Sequence, residues 1–149
     1  MNNSNFSFDE AVDFVFKKEG FYSKDKHDPG GETKYGISQK AYPNIKIKDL
    51  TLEQAKDIYR TDYWNRLQCN NHKPSMALAL LDTGVHLGVG RALQLVRKLI
   101  NKEDWELLLD HREAYYDNLI KKNPVLVKYK NGWNNRLRDL NLYCSKLDN

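Results

Sequence analysis

The sequence predicts a mainly α-helical single domain, interrupted once, after the first helix, by a loop or short β-hairpin. Three observations carry this. Apolar residues recur at steps of three and four through most of the chain. Two capping-box signatures, Ser7 with Glu10 and Thr51 with Gln54, stand directly ahead of such runs. Residues 21–38 crowd Asp, Pro and Gly together with no helical period, as a turn-rich segment does.

Taken in order, Phe8, Ala11, Val12 and Val15 give a first helix from about Phe8 to Lys18, with Gly20 as its stop. Leu52, Ala55, Tyr59 and Tyr63 form the apolar face of a second, ending near Arg66. Pro74-Ser75 introduces MALALLDTGVHL, which is apolar nearly all round and is therefore expected at the centre of the bundle. Gly88 and Gly90 are expected to turn the chain before a helix over 91–100, with Ala92, Leu95, Val96 and Leu99 on one side. Asp104 opens another, carrying Trp105, Leu108, Leu109, Tyr116, Leu119 and Ile120, until Pro124 interrupts. From Gly132 onward, Trp133, Leu137, Leu140, Cys144 and Leu147 mark a closing amphipathic helix. No internal repeat or linker divides residues 1–149.

Composition narrows the function classes. A chain of 149 residues can bury a sufficient core without a metal or disulfide staple. The net charge of +4 comes from 24 basic and 20 acidic residues interspersed along the chain, so no nucleic-acid-binding stripe is expected, although the excess suits a polyanionic polymer. Cys69 and Cys144 form no CxxC pair, and Cys144 falls in an apolar helical stripe, which favours buried thiols over a bridge. The four histidines lack metal-ligand spacing, so neither a metal nor a cofactor is expected. The N-terminus MNNSNFSFDEAVDF has no basic start followed by an apolar stretch, and no run of about 18 apolar residues occurs, so neither a secretory signal nor stable membrane association is expected.

The stretch EGFYSKDKHDPGGETKYGIS, residues 19–38, carries the chemistry. Glu19 sits where the first helix ends, and the unpaired carbonyls there disfavour a negative charge. Phe16, Phe21 or Tyr22, if packed over the carboxyl, would act in the same direction by desolvation. An acid kept protonated can donate to a leaving group. Asp28 precedes the tight Pro29-Gly30-Gly31 turn, and Thr33 follows on the returning segment. A second carboxylate and a hydroxyl could stabilise an oxocarbenium ion and hold water, which together with Glu19 are the parts of a glycosidase.

This stretch resembles the signature of glycoside hydrolase family 108, a muramidase family written E-G-G-Y-x(5)-D-x-G-G-x-T-x-x-G-I. Its Glu-x8-Asp-x4-Thr spacing is also similar to that of phage-type lysozymes, where the corresponding glutamate is the catalytic acid. YRTDYWNRL (59–67), PSMALALLDTGVHLGVGRAL (74–93) and KYKNGWNNR (128–136) resemble later blocks, so nearly the whole chain is covered. The resemblance implies a lysozyme-like fold whose helices from about residue 74 correspond to the family's peptidoglycan-binding region. Three departures stand out: Phe21 replaces a usual glycine, His86-Leu87-Gly88 replaces an Asn-small-Gly block, and the segment between Ile100 and Trp105 is short.

Several residues keep two readings at this point. Asp28 is either the second catalytic carboxylate or the Asx residue of its own turn, and Thr33 either a water-holding hydroxyl or a hairpin residue. His86 is either a satisfied core histidine or a substrate contact. Asp82 and Arg112 read as a buried or half-buried polar pair. Trp64 and Trp133 are either core anchors or sugar-stacking rings, and Tyr22 and Tyr35 are candidate glycan contacts beside the acid.

The resemblance implies a monomeric hydrolase of peptidoglycan glycan strands, with catalytic Glu19, Asp28 and Thr33 and substrate contacts from Tyr22, Tyr35, Trp64, His86 and Trp133. It would reach the wall through a holin lesion or a secretion system. A lytic transglycosylase or a non-cleaving glycan scaffold are the alternatives.

Overall fold

The computed structural model describes residues 7–148 apart from 21 and 24–30, with residues 22 and 23 as backbone only. Helix α1 (Phe8–Glu19) begins where the Ser7 hydroxyl accepts from the Glu10 amide, and it ends at Gly20, whose φ of 83° halts the helix. The helix thus runs one residue beyond the expected Lys18, and that residue is Glu19.

A small antiparallel sheet follows, in the order β1 (Tyr22–Ser23), β2 (Thr33–Lys34), β3 (Ile37–Ser38), with Thr33 paired to both Ser23 and Ser38. Strands β2 and β3 are joined by Tyr35 and Gly36, whose φ angles of 54° and 79° are both positive, as a two-residue type I′ turn requires. Ile37, 2% exposed, anchors this hairpin in the core.

Helix α2 (Leu52–Tyr59) opens with a complete capping box between Thr51 and Gln54, then widens into a π-turn over Arg60–Trp64. The expected helix to about Arg66 is thus two segments, and the wide turn carries Trp64 into the core against Phe8. Helix α3 (Pro74–Leu87) is the central element, with every residue from Ser75 to Gly84 buried, as its all-round apolar sequence requires. A Cβ on Gly84 would lie 2.5 Å from Leu67 Cδ1, so glycine here lets the π-turn segment close on α3.

Helix α4 (Val89–Arg97) starts immediately after Gly88. The expectation of a turn through Gly90 and a helix over 91–100 is therefore corrected. Gly88, with φ 96°, makes the break alone, and Gly90 lies in the first turn of α4. Helix α5 (Trp105–Lys122) is capped by Asp104, whose side chain accepts from the Leu107 amide, and a 3-10 turn begun by Pro124 leads into α6 (Lys130–Cys144). Leu147 lies beyond α6 but still packs on the core. Cys69 and Cys144 are buried free thiols. Burial pushes the Cys69 thiol up to about 12, and the Cys144 thiol is raised by burial too.

Candidate active site

Glu19 ends α1 with its side chain 23% exposed. Its neighbours come from three other parts of the chain. The turn residue Gly36 approaches so closely that an added Cβ would lie 2.9 Å from both Cβ and Cγ of Glu19 and would overlap the Tyr59 hydroxyl. That hydroxyl donates to the Tyr35 carbonyl at 2.5 Å, so α2 ties down the same turn. From α6, Arg136 Nη1 donates to Glu19 Oε1 at 2.9 Å.

Arg136 is itself held. Its Nη2 donates to Asp82 Oδ1 at 2.8 Å and its Nε lies 3.2 Å from Asp82 Oδ2. Asp82, on α3, is completely buried and receives a second guanidinium, Arg112 Nη1 at 2.8 Å. Burial alone would raise the Asp82 carboxyl, but Arg112 and Arg136 outweigh it and hold it near about 2. For Arg136, burial would lower the guanidinium, but Asp82 foremost and then Glu19 outweigh it and raise it, which keeps it a fixed cation.

Arg112 extends the network along α5. Its Nη1 also reaches Thr83 Oγ1 at 3.1 Å, its Nε donates to the Tyr116 hydroxyl at 2.8 Å, and its Nη2 lies 3.1 Å from His86 Nδ1. The Tyr116 hydroxyl is 2.6 Å from the same His86 nitrogen. A guanidinium can only donate, so Nδ1 is an acceptor and the imidazole proton is assigned to Nε2. Burial first, then Arg136 and Arg112, push the His86 imidazole down to about 3, so it is neutral at physiological pH. Every buried polar side-chain atom among the described residues has a partner, which is the condition under which such a network stays ordered.

The structure sorts the candidate residues. Glu19 is at the outer end of the ion-pair chain, whose further members are Arg136, Asp82 and Arg112. Thr33, half-buried on β2, stands three residues ahead of Gly36, which contacts Glu19, and Tyr35 lies in the same turn as Gly36. The Tyr35 ring packs at 5.4 Å on Phe16, which also stacks on Tyr59, so Phe16 belongs to the support of the turn. Phe16 faces these two tyrosines, and the group bound to the Glu19 carboxyl is a guanidinium; the other aromatics expected near the carboxyl, Phe21 and the side chain of Tyr22, lie outside the described residues. His86 is tied into the network, and Trp133 is half-buried, stacked at 4.6 Å on Tyr116 and at 5.8 Å on Tyr129.

Trp64 does not join the site. It is 4% exposed, packs edge-on against Phe8, and its indole N–H donates to Asn70 Oδ1 at 2.8 Å, which leaves no face for a sugar. Asp28, Phe21 and His27 lie outside the described residues, as does the side chain of Tyr22. Sequence reasoning missed Arg136 and Tyr59 as site residues. Arg136 ends the KYKNGWNNR block, but nothing in its helical surroundings signals that it would cross the core to meet Glu19. Among the described residues there is no cluster of His, Cys, Asp and Glu suited to a metal ion, and no helix is long and apolar enough to cross a membrane.

The profile of a family described as glycosyl hydrolase 108 matches residues 12–88, the segment that runs from α1 through the sheet and α2 to the end of α3. Among solved structures, SagA of Brucella abortus is similar over 94% of each chain, at 26% identity and a TM-score of 0.77. None of the curated proteins compared matches the chain.

Proposed function

Because the chain belongs to the glycosyl hydrolase 108 family, we propose that it is an N-acetylmuramidase, cleaving the β-1,4 bond between N-acetylmuramic acid and N-acetylglucosamine in peptidoglycan with Glu19 as the general acid. The observation that carries this reading is the setting of Glu19. It is a partly exposed carboxyl at a helix terminus, clamped by Arg136 on one side and by the Tyr35–Gly36 turn on the other. A proton donor must be held within hydrogen-bond reach of the leaving oxygen, and a side chain fixed from two sides has little rotamer freedom left to lose. Donation to the glycosidic oxygen then requires the carboxyl to exchange its Arg136 contact for the substrate. Arg136 keeps Asp82 as its partner throughout, so no unpaired buried cation results.

Asp28 and Thr33 are assigned the opposite side of the cleft, the first stabilising positive charge or orienting water and the second holding that water, by resemblance to the family signature. Tyr22, Tyr35, His86 and Trp133 are assigned to glycan contact. The physiological setting proposed is the cell wall, reached through a holin lesion during phage lysis or through a secretion system.

Digestion of purified peptidoglycan with the wild type and with Glu19→Gln, followed by mass spectrometry of the sugar ends, tests the assignment. Reducing muramic acid ends from the wild type, and a loss of turnover of about 10²–10⁴-fold in the variant, are expected. Ends in the 1,6-anhydro form would replace the hydrolase with a lytic transglycosylase. Binding without cleavage would make the chain a scaffold, and equal cleavage by Glu19→Gln would remove Glu19 from the chemistry.

A further inference from the structure

A concavity of about 450 Å³ lies between α4 and α5 and shares no residue with the Glu19 network. Its polar lining includes Arg91, Gln94, Lys98, His111, Tyr115 and Lys122, and among the described residues no acidic side chain lines it. This is a segregated face in a chain whose 24 basic and 20 acidic residues are otherwise mixed. Helix α4 contributes no acid at all. Helix α5 carries Glu106, Asp110, Glu113 and Asp117, but at about 100° per residue these fall on the side of the helix opposite to 111, 115, 118 and 122.

The cations in the groove are uncompensated. Among the described residues, none of Arg91, Lys98 and Lys122 forms an ion pair with a carboxylate. Arg91 is nevertheless pre-set: its guanidinium lies 4.7 Å from the centre of the Tyr115 ring and Nη1 donates to Gln94 Oε1 at 2.7 Å. A guanidinium held over a ring and by one hydrogen bond in this way keeps its remaining N–H groups for a ligand. Like charges gathered in a concavity repel one another, and the arrangement is relieved by an anion that enters between them.

We propose that the α4–α5 groove is a binding site for a phosphate group, borne by a larger anionic ligand. Phosphate fits better than a single carboxylate because its higher charge and additional acceptor oxygens can answer more than one cation of this lining. The phosphate can be that of a lipid headgroup or of a non-lipid phosphate-bearing molecule, and the two sources are separable.

The full chain, labelled with ¹⁵N, is titrated with inorganic phosphate and, separately, with acetate at matched ionic strength. Amide shifts centred on 91, 94, 98, 111, 115 and 122, saturating with phosphate and at least tenfold weaker with acetate, are expected. The variant Arg91→Gln/Lys98→Gln/Lys122→Gln should lose at least tenfold in phosphate affinity, and these exposed positions leave the core spectrum as its own control for folding. The double variant Lys98→Gln/Lys122→Gln, which keeps the stacked Arg91, should lie between the two. Co-sedimentation with vesicles of one part phosphatidylglycerol to three parts phosphatidylcholine, lost in the triple variant, would identify the lipid source. Saturable phosphate binding without co-sedimentation would identify a non-lipid one. Shifts spread over the whole basic surface, an equal response to acetate, or undiminished binding by the triple variant would overturn the proposal.

Discussion

Glu19 and Arg136, 117 residues apart in the chain, meet at 2.9 Å, and this single contact joins the end of α1 to α6 across the central helix α3. Arg136 reaches that position because Asp82, fully buried on α3, accepts two of its nitrogens and leaves the third for Glu19.

Removing this bridge should cost both stability and turnover. Arg136→Ala leaves Asp82 with Arg112 alone and Glu19 without its clamp. A loss of about 3–5 kcal/mol in unfolding free energy is expected, the usual consequence of breaking a buried ion pair from one side. Arg136→Lys keeps the charge but not the fork, so it should fall between the two in denaturant midpoint and in peptidoglycan turnover. Stability within error of wild type for Arg136→Ala would show that the pair contributes nothing to the fold.

The Gly36 contact gives a second, sharper test. Gly36→Ala adds a Cβ at positive φ, directly against Glu19 and the Tyr59 hydroxyl, so it should displace Glu19 as well as strain the turn. Gly20→Ala carries a similar φ but meets open space, so its penalty should be about 1 kcal/mol, from strain alone. Thermal midpoints together with kcat separate the two effects: both variants lose stability, and the larger fall in kcat belongs to Gly36→Ala.

Acid should unfold the protein in two stages. His86 is held down at about 3 in the folded chain, against about 6.5 when exposed. Between those values the unfolded chain binds the extra proton, so stability is complete above pH 6.5 and is lost progressively towards pH 3. Asp82, lowered to about 2, adds its own loss only below pH 4. His86→Gln retains an acceptor for Arg112 and has no titration. Its thermal midpoint should stay flat from pH 7 down to about 4, while that of the wild type declines over the same range.

Thiol access reports on the core. Cys69 and Cys144 are each 1% exposed, and burial pushes both thiols upward, Cys69 to about 12. Neither should react with an aromatic disulfide reagent at pH 8 in the folded protein. Their labelling rate in rising denaturant should track unfolding measured by circular dichroism.

Trp64 and Trp133 should separate by readout. Trp64→Phe loses the bond to Asn70 and part of the packing on Phe8, for about 1–2 kcal/mol, without a change in KM. Trp133→Ala should raise KM for glycan if its half-buried ring borders the cleft. An unchanged KM would reduce Trp133 to a support for Tyr116.

What the sequence determined by itself is local. Capping pairs, glycine stops and three-four periodicity set the helices, because each depends on residues within one or two turns of one another. The spacing of Glu19, Asp28 and Thr33 likewise resides in one short segment. Only the tertiary structure decided what Glu19 touches. Arg112 reads as a buried or half-buried partner of Asp82, and it is one, but Arg136 sits at a position a periodic reading assigns to an ordinary amphipathic helix, and nothing local distinguishes a guanidinium that crosses the core from one that faces water. The burial of the two guanidiniums becomes favourable only when Asp82, Glu19, Thr83, His86 and Tyr116 converge from three helices to satisfy them. The same limit hid the α5 face that gathers His111, Tyr115 and Lys122. Acidic and basic residues are mixed along α5, and the basic lining separates from Glu106, Asp110, Glu113 and Asp117 only once the helix is wound and α4 is laid beside it.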